Sequence, residues 1–209
     1  MAKIAAGAAR RTVEEAVGLL RQGELVCYPT DTVYGIGAAA GNDEAVRRVF
    51  TVKGRSLDKA MPLLIADVHD APRFAEVTPT ACVLMQRFWP GALTIVMRKA
   101  ERYRSLALGG QSTVALRVPA HPLTQEIIRL LGEPLTGTSA NLASASPPVS
   151  AAEAEAAVGD IVSLIVDGGA SKRGRESTVV DITAATPRIV RQGAVAREDI
   201  ENILALRLQ

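Results

Sequence analysis

The chain has 209 residues, of which 48% are hydrophobic and 22% charged, enough apolar material to bury the core of one compact domain. Its 24 basic and 22 acidic residues leave a net charge of +2, which excludes a strong global field for nucleic acid, so any anion site has to be local. Aromatic residues make up only 3%, too few for a platform that stacks single-stranded bases. Cys27 and Cys82 lack close spacing and are read as reduced, buried small side chains. The alanine-rich start, Met1 to Arg11, has no apolar stretch of signal-peptide length, and no run approaches the ~20 residues of a membrane span. A soluble, cytoplasmic protein without a membrane partner is expected.

Thr12, with Glu14 and Glu15 in the first turn and Val13, Val17, Leu19 and Leu20 at helical spacing, predicts a capped helix that stops at Gly23. Leu25 to Tyr28 is a buried strand that breaks at Pro29 into a turn rich in hydroxyls and glycine, Thr30-Asp-Thr-Val-Tyr-Gly-Ile-Gly37. There Gly35 and Gly37 allow either positive φ or close approach to the backbone, and Tyr28 and Tyr34 serve either packing or contact. Asn42 or Asp43 caps a helix through Phe50, which runs out at Lys53-Gly-Arg55. Pro62 to Ala66 reads as a second strand, with Asp67 and Asp70 opening a loop. Thr78-Pro79 starts a helix that ends at Trp89-Pro-Gly91.

Leu93 to Met97 and Val114 to Val118 are strand-like, separated by a basic connection from Arg98 to Ser112. Pro122 to Leu131 is helical up to Gly132, and Leu135 leads into a second hydroxyl-rich turn, Thr136-Gly-Thr-Ser-Ala-Asn141. Ser150 and Glu153 form a capping box before a helix ending near Gly159. Ile161 to Val166 is a strand, Asp167 to Glu176 a loop of glycines and cations, Thr178 to Ile182 and Ile189 to Arg191 strands, and a last helix follows Arg197. Alternating strands and helices without an internal repeat predict one α/β domain over residues 1–209, a twisted, mixed and largely parallel sheet flanked by helices.

The sequence lacks a Gly-Lys-Ser/Thr phosphate loop, a Gly-x-Gly-x-x-Gly helix opening and a Gly-x-Ser-x-Gly elbow. His69 and His121 lack the partners for a metal centre or a triad and are read as structural or surface residues. Cations and hydroxyls at strand ends remain. Lys53 and Arg55, one glycine apart, can address one polyanion as a point charge and a bidentate fork. Ser139 and Asn141 straddle Ala140 and share a face of an extended segment, and Arg191 puts a third cation at a strand end.

Together these segments resemble the YrdC family of threonylcarbamoyladenylate synthases. The resemblance rests on Tyr28-Pro-Thr-Asp-Thr-Val-Tyr-Gly, Lys53-Gly-Arg55, Trp89-Pro-Gly-Ala-Leu-Thr94, Arg117-Val-Pro-Ala-His121, Ser139-Ala-Asn141, Ser177-Thr-Val-Val-Asp181 and Arg191-Gln-Gly193, in the family's order across nearly the whole chain. It implies a twisted α/β sheet around a basic concave cavity in the short, single-domain form. It also implies synthesis of threonylcarbamoyl-AMP and pyrophosphate from ATP, L-threonine and bicarbonate. A partner system would then carry the threonylcarbamoyl group to adenosine 37 of tRNAs reading codons that begin with A.

By that resemblance Lys53 and Arg55 carry the catalytic role by holding the triphosphate, Ser139 and Asn141 take phosphate oxygens or the magnesium shell, and Arg191 contacts the nucleotide. Thr32, Arg98 and Ser177 match positions for threonine, with Arg98 as partner of its carboxylate. Thr94 and the backbone at Gly137 belong to nucleotide or threonine, and Arg117 is either structural or within reach of phosphate. Magnesium would arrive on ATP, with no protein side chain assigned as its ligand. Two departures stand out: Ser56 replaces a common proline with Ala60-Met61 before Pro62, implying a longer or more flexible loop after Arg55, and Leu142-Ala-Ser144 replaces a common Leu-Ser-Gly. The competing expectations are a noncatalytic RNA-binding module, or a YrdC paralogue with a different substrate.

Overall fold

The computed structural model describes residues 3–6, 10–143 and 145–208. Ser144, one of the departures noted above, lies outside the described residues. Two mixed sheets form where one was expected. The first, five-stranded, orders β1 (Lys3–Ala6), β9 (Leu164–Asp167), β2 (Val26–Tyr28), β3 (Gly35–Gly37) and β8 (Thr138–Ser139). The second, six-stranded, orders β11 (Arg188–Arg191), β10 (Thr178–Asp181), β5 (Leu93–Arg98), β6 (Thr113–Arg117), β4 (Leu63–Leu64) and β7 (Leu135–Thr136). Parallel ladders join β1/β9, β2/β9, β4/β6 and β5/β10, and antiparallel ladders join β2/β3, β3/β8, β4/β7, β5/β6 and β10/β11. The sheets are therefore evenly mixed rather than largely parallel, because short returns such as the turn between β2 and β3 replace helical crossovers.

Six helices cover the sheets: α1 (Arg10–Arg21), α2 (Asp43–Val52), α3 (Pro79–Phe88), α4 (Pro122–Leu131), α5 (Ala151–Val158) and α6 (Arg197–Leu204). Caps at Asn42, Thr78 and Ser150 each accept a first-turn amide, and Glu153 accepts the Val149 amide at 2.9 Å. Thr12 is not a cap: α1 starts at Arg10, whose Nε donates to Glu14 at 2.8 Å, and Thr12 is buried inside the helix. Val13, Ala16, Val17 and Leu20 of α1 pack with Ile127, Ile128 and Leu131 of α4 over Val26, Leu164 and Val166 of the first sheet. Every third or fourth residue of each helix is thus withdrawn from water, the main favourable term in holding the layer on the sheet. Among the described residues no helix is long and apolar enough to cross a membrane.

Boundaries shift for local reasons. Ile161 and Val162 donate back to the Val158 carbonyl at 2.9 and 3.2 Å, so they finish the turn after α5 and the strand starts only at Leu164. Asp67 caps a 3-10 turn, Val68–Arg73, where a loop was expected. Cys27 is buried, but Cys82 faces solvent on α3, contrary to the expectation for both. Both cysteines are free.

Gly35 and Gly37 serve close approach, not positive φ. The Tyr28 ring lies across β3 so tightly that a Cβ on Gly35 would sit 2.5 Å from Tyr28 Cε2, and one on Gly37 would sit 2.6 Å from the Thr136 carbonyl. The ring is fully buried and its hydroxyl donates to that carbonyl at 2.6 Å, tying β2 to β7 of the other sheet. Gly35→Ala is expected to destabilise the protein by about 1–3 kcal/mol, because the new Cβ would overlap the ring and force it off its bond to Thr136. The drop in urea midpoint at constant m-value measures it, and an unchanged midpoint would contradict this packing.

Candidate active site

The segment that leaves β7 and enters β8 passes from one sheet to the other within Leu135–Ser139, and Gly137 bends between them, its amide donating to the Pro62 carbonyl at 2.7 Å. A cavity of about 300 Å³ opens at this junction. Tyr28, Thr30, Thr32 and Gly35 of the first sheet and its turn line one side. Thr94 and Val96 of β5, Thr113, Ala115 and Arg117 of β6, and Val179 of β10 line the other, at the alternate positions that a pleated strand presents to one face.

The floor is a buried polar network. Arg117, 6% exposed, donates from Nε to the Gly91 carbonyl at 2.8 Å, from Nη1 to Thr32 Oγ1 at 3.0 Å and from Nη2 to Asp31 Oδ1 at 2.6 Å. Asp31 Oδ1 also accepts the Ala120 amide at 2.9 Å, while Oδ2 has no hydrogen bond and faces Arg173 Nε at 3.5 Å, an ion-pair distance only. Burial pulls the Arg117 guanidinium below its ordinary value, and Asp31 opposes that shift. A side chain that stays charged throughout the accessible pH range therefore sits on a fixed carboxylate. Above it Thr30 Oγ1 accepts the amides of Thr32 and Val33 and lies 2.8 Å from Thr32 Oγ1. A hydroxyl-closed turn of this kind presents Thr32 to the cavity.

At the other end cations converge. Arg55 lines the cavity, with Nε on the Lys59 carbonyl at 2.8 Å and Nη2 on the Ala60 carbonyl, so the loop after Arg55 supplies the acceptors that hold it. Arg191, at the end of β11, bonds the Ser177 carbonyl at 3.0 Å and Ser177 Oγ at 3.3 Å, and pairs with Glu176 Oε1 at 3.0 Å. Ser177 Oγ is also 2.8 Å from Thr94 Oγ1. Lys53 sits behind this wall, its ammonium donating to the Ser139 carbonyl at 2.9 Å, to Asn141 Oδ1 at 2.9 Å and to the Asn141 carbonyl. Burial pulls the Lys53 ammonium below its ordinary value; Glu176 opposes the shift and Arg55 adds to it. Arg55 is likewise lowered by burial and then by Arg191.

Of the residues singled out in the sequence, Thr32, Arg55, Thr94, Gly137, Ser139, Ser177 and Arg191 line this cavity, and Lys53 and Asn141 adjoin it through Ser139. Arg98 does not: it is exposed at the end of β5, two positions beyond Val96 on the same face. Arg117, left open between structural and functional roles, lines the floor. Asp31 and Glu176 were missed, although both stand beside residues that were chosen. Tyr28 both packs and lines the cavity, whereas Tyr34 bonds the Gly169 carbonyl at 2.8 Å away from it. His69 is exposed, and burial lowers the pKa of His121 just ahead of α4. Among the described residues no group of three or more His, Cys, Asp or Glu could hold a metal ion.

The protein is an α/β domain with a cavity between two mixed sheets, cations at one end and a threonine turn at the other. The chain matches the Sua5/YciO/YrdC family, described as telomere recombination, over residues 18–193, and it belongs to that family. It is 38% identical over 201 residues to the threonylcarbamoyl-AMP synthase of Pyrococcus abyssi, covering 93% of this chain and 59% of that protein. The chain thus spans about three-fifths of that relative's length. Among solved structures it resembles P. abyssi Sua5 complexed with L-threonine, with TM-score 0.89 and 38% identity over 94% of this chain and 58% of that one. It also resembles E. coli YciO, with TM-score 0.85 and 26% identity over 96% and 100% of the two chains.

The floor yields a stability test. Asp31→Ala strands a buried guanidinium and is expected to lower unfolding free energy by about 3–5 kcal/mol. Arg173→Ala removes a half-exposed partner at 3.5 Å and is expected to change it by less than about 1 kcal/mol. Comparable losses in chemical denaturation would remove the Asp31–Arg117 pair from its place as the keystone of the floor.

Proposed function

We propose that the chain is a threonylcarbamoyl-AMP synthase. The amine of L-threonine loses a proton and bonds to the carbon of bicarbonate-derived carbon dioxide; a carbamate oxygen then bonds to the α-phosphorus of ATP as the bond to the β-phosphate oxygen breaks and pyrophosphate leaves. The observation that carries this reading is the pairing, in one cavity, of a cationic end (Arg55, Arg191 and adjoining Lys53) with a threonine-lined floor (Thr32 over Arg117). Family membership and the names of the relatives support the same chemistry. Such a reaction needs positioning and charge neutralisation and no covalent nucleophile, which fits a site built of cations, hydroxyls and backbone.

In this reading Lys53 and Arg55 are the catalytic pair: Arg55 lines the cavity and meets the triphosphate directly, and Lys53, whose three N–H groups rest on Ser139 and Asn141, must exchange one of those bonds to reach it as negative charge builds on departing pyrophosphate. Arg191, Thr94, Ser139 and Asn141 complete the nucleotide side, with Asn141 acting through its bond to Lys53. Magnesium enters as part of the substrate MgATP. Thr32, Ser177 and the backbone of Gly137 take threonine. Its carboxylate we assign to Arg117 in place of Arg98: three of the five Arg117 N–H groups are used, on Gly91, Asp31 and Thr32, and two remain for an anion. The product is a mixed anhydride that has to be passed on quickly. We infer that its acceptor is a transferase system acting on adenosine 37 of tRNAs that read codons beginning with A, in the cytoplasm.

Pyrophosphate release is expected only when ATP, L-threonine and bicarbonate are all present, and threonine-independent release would refute the assignment. Arg55→Ala should lower kcat/KM for ATP about 10- to 150-fold, the worth of a charge-assisted bond to phosphate. Thr32→Val should raise the KM for threonine while Arg98→Ala leaves it within about twofold, and the reverse order would return the carboxylate to Arg98. Because burial depresses the Lys53 pKa, its charge is lost earlier, as pH rises, than that of an ordinary lysine. ATP affinity measured by calorimetry should therefore weaken with rising pH sooner in the wild type than in Lys53→Arg, and superimposable profiles would exclude Lys53 from the triphosphate.

A further inference from the structure

Three cations within one small volume repel one another. Arg55 opposes the charge on Lys53, and Arg191 opposes that on Arg55. Among the described residues lining the cavity there is a single carboxylate, Glu176, and it belongs to this end. It pairs with Arg191 at 3.0 Å and its field favours the charged form of Lys53, so it serves two of the three cations. The backbone of Glu176 is held, since its carbonyl accepts the Ala194 amide at 2.9 Å, whereas its side chain is 35% exposed and, among the described residues, is tied only by the ion pair to Arg191. A phosphate approaching the guanidinium of Arg191 meets a carboxylate already in place.

We propose that Glu176 is a counter-carboxylate: it holds the Nη1 side of the Arg191 guanidinium, must rotate off it when a polyphosphate takes that side, and so sets the nucleotide affinity of the site. The inference rests on the reading of the cationic end as the triphosphate site. The swing needs no loop movement, only rotation of the Glu176 side chain about a fixed backbone. Its effect is to make the protein discriminate by charge number. A carboxylate or a single inorganic phosphate gains little by displacing another anion, whereas a triphosphate brings enough charge to engage Lys53, Arg55 and Arg191 together.

The test is calorimetric binding of inorganic tripolyphosphate, which lacks the adenosine part, to wild type, Glu176→Gln, Glu176→Asp, Arg191→Gln and the Glu176→Gln/Arg191→Gln double variant. Glu176→Gln should bind about tenfold more tightly than wild type, with Glu176→Asp close to wild type. The gain should fall below about twofold in the Arg191→Gln background, a coupling that a general loosening of the fold would not produce. Unchanged or weaker binding by Glu176→Gln overturns the proposal, as does a gain that survives loss of Arg191. So does a variant with unchanged tripolyphosphate affinity and a raised KM for threonine, which would assign the carboxylate to the substrate ammonium. Turnover separates the two readings: normal pyrophosphate release by wild type without the tightening leaves the synthase standing and removes the counter-carboxylate. Tightening in a protein without turnover does the opposite.

Discussion

The two sheets meet at the cavity floor through one buried ion pair, and the positions of the residues above it follow from that contact. Asp31 comes from the turn after β2 in the five-stranded sheet and Arg117 from the end of β6 in the six-stranded one. Neither charge is tolerable there alone, since desolvating an isolated ion costs several kcal/mol. Their mutual attraction, the Gly91 carbonyl, the Ala120 amide and the Thr32 hydroxyl offset that cost and turn it into a constraint. With the Ala39–Leu135 bridge and the Tyr28 bond to Thr136, the pair fixes how the two sheets face each other. Thr32 is therefore oriented by the pair that joins the two layers.

The opposite end follows a different logic. Its cations are satisfied by neutral carbonyls, which hold a donor in place without neutralising it, and by one carboxylate at the rim. Lys53 on the Ser139 and Asn141 carbonyls and Arg55 on those of Lys59 and Ala60 are held in a defined direction by acceptors that carry no formal charge. Preorganisation of this sort lets a polyanion be met without first gathering flexible side chains, whose immobilisation would otherwise weaken binding.

Much of this was legible in the residues, and the misses have physical causes. The helices announce themselves through Asn42, Thr78 and Ser150, because capping is local chemistry written within four residues. Two-residue strands such as β7 and β8 carry no period to detect, and β1 is only four residues long, its pairing with β9 decided at long range. The split into two sheets is invisible for the same reason. Motif resemblance assembled most of the cavity residues, yet Arg98 and Arg117 look equivalent in a sequence, both being arginines that end strands. Only burial separates them, and burial depends on what lies across the sheet. Glu176 and Asp31 escaped notice because a carboxylate beside a proposed anion site looks out of place until its partner is seen.

Gly137 has a consequence for how the cavity can change shape. The chain crosses from one sheet to the other in the few residues from β7 to β8, and the Tyr28 hydroxyl clasps the Thr136 carbonyl just before the crossing. The two walls are thus parts of one short covalent span, like the leaves of a book sewn at the spine. They cannot separate at that edge without breaking main-chain bonds on both sides. Any widening of the cavity has therefore to take place away from that edge.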